Sequence, residues 1–248
     1  MRNLLKFEFH KLFKAKSFYI CTVIVFLMSF LTILLNKLVL SSTEMANLMP
    51  DAMQTMLSAV SSSNFTMISG VFIAIFACYD YEQQTIKNVY SHGFSRNKVY
   101  FAKFITCSVA TIIMFVLTLA FNYLIGLIML NGATKDGNYL GLILGQIIYV
   151  ITYGAFVFSI SLIIKKIGIS IAFAILGPSL ITLLITLIDS LLKLKDFKIS
   201  SYWLGKFVED LTALTTTTNR LWTVIGLTLV YALIFILGGY FINRKQEN

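Results

Sequence analysis

Six apolar runs, each long enough to cross a bilayer, decide most of what this 248-residue chain can fold into. They fall at about residues 18–40, 58–79, 99–130, 140–164, 169–190 and 220–242. A helical crossing takes about 20 apolar residues. Lipid offers no hydrogen bonds, so each crossing must satisfy its backbone internally, as a helix does. The chain is 58% hydrophobic and only 12% charged, more apolar surface than a water-soluble fold of this length can bury. The expected fold class is therefore all-α: an integral membrane protein with six transmembrane helices in a single transmembrane domain over 1–248. The second run is the weakest, being polar from Ser58 to Asn64, and its apolar stretch starts nearer Phe65. The third exceeds one crossing, so its ends project or the helix tilts.

Charge orients these spans. With the N-terminus in the cytoplasm, the inner segments hold 13 of the 20 basic residues and four acids (Glu8, Asp80, Glu82, Glu247). The outer segments hold seven of each sign. Basic residues concentrate on cytoplasmic loops, so both termini are expected to be cytoplasmic, in a multi-pass protein of the cell membrane. Anionic lipid and a cytosolic partner suffice to explain the basic surplus, and no nucleic acid is needed. The first apolar run is too long for the core of a cleaved signal peptide and is expected to remain as an anchor.

Two inner segments stand out. Residues 2–16, RNLLKFEFHKLFKAK, place Leu5, Phe9, Leu12 and Phe13 at helical spacing, with Lys6, His10 and Lys14 on another side and Phe7 off pattern. This predicts an amphipathic helix lying in the membrane interface; a plain basic flank is the alternative. The stretch from Asp80 to Lys103, DYEQQTIKNVYSHGFSRNKVYFAK, is a polar, basic island between spans two and three. Ile86, Val89 and Tyr90 fall at i, i+3, i+4, one face of a short helix. Gln83, Gln84, Lys87, Asn88 and Ser91 take its other faces. Gly93 can end that helix in a left-handed turn, and Ser95 can cap the next one. Such a short cytoplasmic helix suits docking to a partner, with Ile86, Val89 and Tyr90 as apolar anchors and Lys87 and Arg96 supplying charge. Arg96 can equally pair with lipid phosphate.

The outer segments are unequal. Residues 191–219 contain Tyr202, Trp203, Phe207, Val208 and Leu211, which fit either an interfacial belt or a short re-entrant helix. Gly141 and Gly145 make a small-residue notch that favours close helix packing, within the subunit first and between subunits as the alternative. Gly177-Pro178 in the fifth span should kink it, as a hinge or equally as a static bend, because proline removes a backbone donor and crowds the preceding turn. Asn122 reads as a helix–helix hydrogen bond.

Chemistry-bearing motifs are missing. There is no GxxxxGK[ST] loop, no HExxH and no GxSxG. Cys21, Cys78 and Cys107 lack paired spacing and read as buried small hydrophobes; no metal site is expected. No charge sits near the middle of a run, which argues against an ion-driven carrier.

The Asp80–Lys103 segment resembles the first cytoplasmic loop of type-two ATP-binding-cassette export permeases. These include the small membrane subunits of bacitracin-resistance and lantibiotic-immunity transporters. That family carries a glutamate shortly before a Gly-Thr-Ile-Lys-Asn run, then a serine- and glycine-containing turn, Ser-Arg, and a lysine entering the next span. Here the matching residues are Glu82, Thr85, Ile86, Lys87, Asn88, Ser91, Gly93, Ser95, Arg96 and Lys103. Gln84 stands where the family often has glycine, and Phe94 replaces a smaller residue. The resemblance implies a permease that pairs with a second copy or a homologous permease and is driven by separate cytosolic ABC ATPase subunits. ATP and magnesium are expected on that ATPase, with no cofactor in this chain and no enzymatic activity of its own. The ATPase-coupling residues would be Glu82, Thr85, Ile86, Lys87, Val89, Tyr90, Gly93 and Arg96. The implied cargo is an amphiphilic antimicrobial peptide or related drug. The alternative is a non-transporting sensor or assembly subunit that docks a cytosolic partner.

Overall fold

A computed structural model describes residues 1–41, 50–61, 63–91, 94–130, 137–192, 199–214 and 216–245. Gly93, Asp136 and Thr215 lie outside them. The described residues form helices α1 (Arg2–Lys14), α2 (Lys16–Ser41), α3 (Ala52–Ser61), α4 (Ser63–Glu82), α5 (Ile86–Ser91), α6 (Arg96–Met129), α7 (Tyr139–Ile164), α8 (Ile167–Leu192), α9 (Leu204–Thr212) and α10 (Thr218–Lys245). A 3-10 turn among the described residues covers Ile199–Tyr202. Six candidate spans emerge: α2, α3 with α4, α6, α7, α8 and α10.

The bundle is built around α7, whose buried face runs from Leu142 to Leu162. The core is aromatic: Phe72, Phe115 and Phe158 are fully buried, and Phe65 meets Phe115 edge-on at 5.6 Å. α10 closes against α7 through hydroxyls that reach carbonyls of the facing helix. Thr152 donates to Thr228 O (3.1 Å), Ser159 to Phe235 O (2.7 Å), and Tyr100 of α6 to Ile236 O (2.8 Å). In lipid such bonds replace the missing hydrophobic drive between helices.

The second span covers Ala52–Glu82, described as α3 and α4 on either side of residue 62, and includes the polar stretch that weakens its apolar run. Buried amides engage carbonyls of α3. Asn122 of α6 donates to Thr55 O at 3.4 Å, and Gln146 of α7 donates to Leu57 O at 2.8 Å. The same Gln146 amide donates to Leu211 O at 3.0 Å and so seats α9 as well. α9 buries Leu204, Phe207 and Leu211. A Cβ on Gly145 would lie 2.5 Å from Leu211 Cδ2, so this glycine is what lets α9 settle against α7. The notch thus serves packing within the chain. Trp203 is half-buried and donates from Nε1 to Thr182 Oγ1 (3.1 Å). Asp189 accepts from the backbone of Ile199 and Ser200 (both 2.9 Å), and Arg220 binds Asp210 and Ser201 O.

α8 runs unbroken through Pro178, with Thr182 donating to Pro178 O at 2.8 Å. A Cβ on Gly177 would meet the Phe173 ring at 2.7 Å. This is the least covered span, with 11% of its apolar window buried. Leu176, Leu180, Leu183, Leu187 and Leu191 face outward. All three cysteines are free and buried.

Candidate coupling site at the α1 end of the bundle

α1 and α2 are separate because Ala15 is extended (φ −72°, ψ 113°) and breaks the helix between Lys14 and Lys16. α1 then folds back across the ends of α4 and α6. Its buried face is Leu4, Glu8 and Leu12, at i, i+4 and i+8. Hydrophobicity alone selects Leu5, Phe9, Leu12 and Phe13. The structure buries Leu12, half-buries Leu5 and Phe9, and exposes Phe13. The face is turned by one residue because Glu8 has a cation to meet.

That cation is Lys103, whose side chain is 1% exposed in the third turn of α6. It donates to Asp80 Oδ2 at the end of α4, and its Nζ lies 3.7 Å from Glu8 Oε1. Lys11 of α1 donates to the other oxygen of Asp80, and its ammonium lies over the rings of Phe76 and Tyr79 (5.3 and 5.1 Å). Two lysines and two carboxylates from three helices thus form one buried, charge-balanced cluster. Burial first, then the neighbouring Lys103 charge, holds the Lys11 pKa below the usual lysine range. Glu8 is the loosely held member: neither oxygen accepts a hydrogen bond among the described residues.

The loop after α4 is attached to this cluster. The Thr85 hydroxyl donates to Asp80 Oδ1 (3.2 Å). Gln83 to Thr85 form a turn, and α5 starts at Ile86. Ile86 is buried with Leu4, Val99 and Ala102, and Val89, Tyr90 and Phe94 pack around that cluster. The apolar face of α5 is therefore engaged within the chain, rather than offered as the free anchor that its periodicity suggests. What α5 and its turn present outward is Gln83, Gln84, Lys87 and Ser91. Arg96 stacks on Tyr90 at 5.6 Å. Ser95 takes the N-cap position of α6 without a side-chain cap bond.

Gln84 has φ 55°, the left-handed region that favours glycine. That conformation accounts for the glycine in the resembling family pattern. A left-handed non-glycine residue costs about 1–2 kcal/mol. Gln84→Gly is expected to leave the melting temperature of the purified protein unchanged or slightly higher. Gln84→Val is expected to lower it, because a β-branched residue tolerates this φ worst. Equal melting of the two variants by scanning fluorimetry would contradict the turn geometry.

Two further contacts tie the loop to the start of α8. Glu82 Oε2 accepts from Ile167 N at 2.9 Å. Lys165, left-handed at φ 58°, sets its ammonium over the Tyr81 ring at 5.6 Å. Of the residues the sequence singles out, Glu82, Thr85, Ile86, Val89, Tyr90 and Arg96 are thus brought together at one end of the bundle. Lys87 projects from it, and Gly177 and Pro178 lie in the adjoining α8. Glu8, Lys11, Asp80 and Lys103 are the members that sequence periodicity does not identify.

A six-span α-helical membrane protein with one end braced by a buried ion cluster is the class these features define. Residues 4–189, from α1 through most of α8, match the family described as ABC-2 family transporter protein. The chain belongs to that family. It is a membrane permease subunit of an ABC transporter, a kind of protein that works with an ATPase subunit. No curated protein matches the chain.

Proposed function

We propose that this chain is the membrane half of an ATP-driven exporter whose ATPase is a separate cytosolic subunit and whose cargo is an amphiphilic antimicrobial peptide or related drug, in self-immunity or resistance. One observation carries the mechanical part. The Glu8–Lys11–Asp80–Lys103 cluster joins α1, the end of α4 and the start of α6 under the α5 turn. Force applied to that turn passes through Asp80 into two spans and through Glu82 into a third. Charges buried together hold such a junction rigid, since separating them leaves unpaired ions out of water. The exposed Gln83 and Lys87 then contact the ATPase, while Ile86, Val89 and Tyr90 fix α5 to the permease. Both termini are cytoplasmic in this reading, and a second permease copy packs against the exposed apolar faces of α2 and α8.

The cargo reading draws on a cavity of about 650 Å³ between α4, α7, α8 and α9. Tyr149, Tyr153, Ser179, Thr182 and Pro178 line it, with Glu209 on the α9 side. Aromatic walls with a few hydroxyls and one carboxylate fit an amphiphile, a cationic one best.

One complementation experiment tests the reading. A strain lacking the gene is expected to become sensitive to at least one membrane- or wall-active peptide, and the wild-type gene restores resistance. The exposed double change Gln83→Glu/Lys87→Glu is expected to leave the permease inserted, yet reduce co-purifying ATPase and resistance at least tenfold; interface charge reversals cost about 1.4 kcal/mol or more. ATPase recovery unaffected by the double change would refute the docking face. Recovery of only a non-ATPase partner with the wild-type chain would favour the sensor or assembly role.

A further inference from the structure

The elbow between α1 and α2 holds a second cavity, of about 580 Å³, which borders the coupling cluster through Lys11, Phe76 and Tyr79. Its walls come from Lys11, Lys14, Lys16 and Ser17 on the elbow and from Phe76 and Tyr79 on α4, with Ile75 beside them. The composition is two-sided. The α4 wall is aliphatic and aromatic, while the elbow supplies three ammonium groups and a hydroxyl. Lys14 and Lys16 are exposed and form no ion pair among the described residues. Lys11 is half-buried at the groove's inner edge and already shares Asp80 with Lys103.

Place narrows the occupant. The elbow is where an interfacial helix turns into a membrane span, so the groove opens at the depth where headgroups give way to acyl chains. Tyr79 is 46% exposed at that depth, as an interfacial aromatic is. A ligand filling the groove must carry a compact anion next to a flexible apolar chain.

We infer that the elbow groove binds one anionic phospholipid, its phosphate held by Lys14, Lys16 and the Ser17 hydroxyl and its acyl chain lying along Ile75, Phe76 and Tyr79. A phosphate there also faces Lys11. It offsets the repulsion between Lys11 and Lys103 and so favours α1 docked on α4 and α6. The membrane lipid thereby becomes a part of the coupling junction. Assignment to the inner leaflet, which is the anionic one, rests on the cytoplasmic orientation proposed above; the binding itself does not.

Native mass spectrometry of the full-length chain in neutral detergent tests this, with phosphatidylglycerol, phosphatidylcholine and inorganic phosphate as separate probes. Each lysine near a phosphate contributes about 1 kcal/mol, so phosphatidylglycerol is expected to bind roughly 30-fold more tightly than phosphatidylcholine. Lys14→Gln/Lys16→Gln is expected to erase that preference; both residues are exposed, so the fold is unaffected. Ile75→Trp, which fills the groove, is expected to weaken both lipids while every lysine remains. The charge-matched pair Lys98→Gln/Lys166→Gln, exposed at the same end of the bundle, is expected to leave the preference in place. Equal binding of the two lipids by the wild type would overturn the site. So would a loss of preference in the control pair as large as in the elbow pair, which would mark a diffuse surface charge. Displacement of phosphatidylglycerol by inorganic phosphate alone would reduce the site to a free-anion site and overturn the lipid assignment.

Discussion

Lys103→Met is expected to be the most damaging single substitution in this chain. The side chain is 1% exposed and holds Asp80 by a direct hydrogen bond and Glu8 by proximity. Methionine matches its shape but removes the charge, leaving two carboxylates with Lys11 as their one remaining cation in the cluster. Breaking a buried pair from one side costs about 3–5 kcal/mol. At a few degrees per kcal/mol, the melting temperature falls on the order of 10 °C. Lys103→Met/Asp80→Asn removes one cation and one anion together and is expected to recover more than half of that loss. Glu8→Gln is expected to cost the least of the three, because it removes a buried charge 3.7 Å from Lys103 but breaks no hydrogen bond. The order of damage is therefore Lys103→Met, then Asp80→Asn, then Glu8→Gln, read by thermal unfolding in detergent. A silent Lys103→Met, or a double variant worse than the single, would show that the four charges do not act as a unit.

The same cluster marks where sequence reasoning stops. Six spans are legible because a crossing needs a long apolar run and nothing else in a chain of this size produces six. The weakness of the second apolar run is legible too, as polar residues between Ser58 and Asn64. Gln146 and Asn122, lone amides in apolar runs, are the available sign that carbonyls elsewhere need donors. Their acceptors Thr55 and Leu57 lie far back in the sequence, and no local pattern points to them. Asp80 and Lys103 likewise read as ordinary flanking charges, since each sits at the edge of a run. Only folding brings them within hydrogen-bond reach of one another, beside Glu8.

Periodicity finds α1 but misplaces its face for the same reason. An apolar-moment argument ranks Phe9 and Phe13 as inward and any glutamate as outward. In the structure Glu8 is buried, and Phe7 and Phe13 are about half exposed. At a membrane surface an exposed phenylalanine is not penalised as it is in water, so aromatic residues lose their value as markers of the protein-facing side. The face of α5 fares differently. Ile86, Val89 and Tyr90 do share a side, as the i, i+3, i+4 spacing predicts, but the surface they meet is α1 and α6 of their own chain.

Cutting α1 loose from the bundle is expected to separate ATP hydrolysis from transport. Leu4 and Leu12 are 2% and 0% exposed and flank Glu8 on the docked face. Each contributes about 1.5–3 kcal/mol by burial, and a glutamate in either place adds an unpaired charge that must return to water. Leu4→Glu/Leu12→Glu therefore favours the undocked helix by more than α1's contacts supply. The remainder of the core, centred on Phe72, Phe115 and Phe158, is untouched, and α1 is not one of the six spans. Trypsin is expected to cleave the variant rapidly after Lys6 and Lys11, sites the docked helix protects. Membranes containing the variant and its ATPase are expected to keep most of their ATP hydrolysis if the proposed docking face holds, because Gln83 and Lys87 remain in place and exposed. Peptide resistance in cells is expected to fall at least tenfold, since Lys11 no longer braces Asp80 against the moving loop; losing one junction contact of about 1.4 kcal/mol suffices for that factor. Undiminished resistance with α1 demonstrably released would make the helix a passive anchor. Loss of hydrolysis along with resistance would move its role from transmission to ATPase binding.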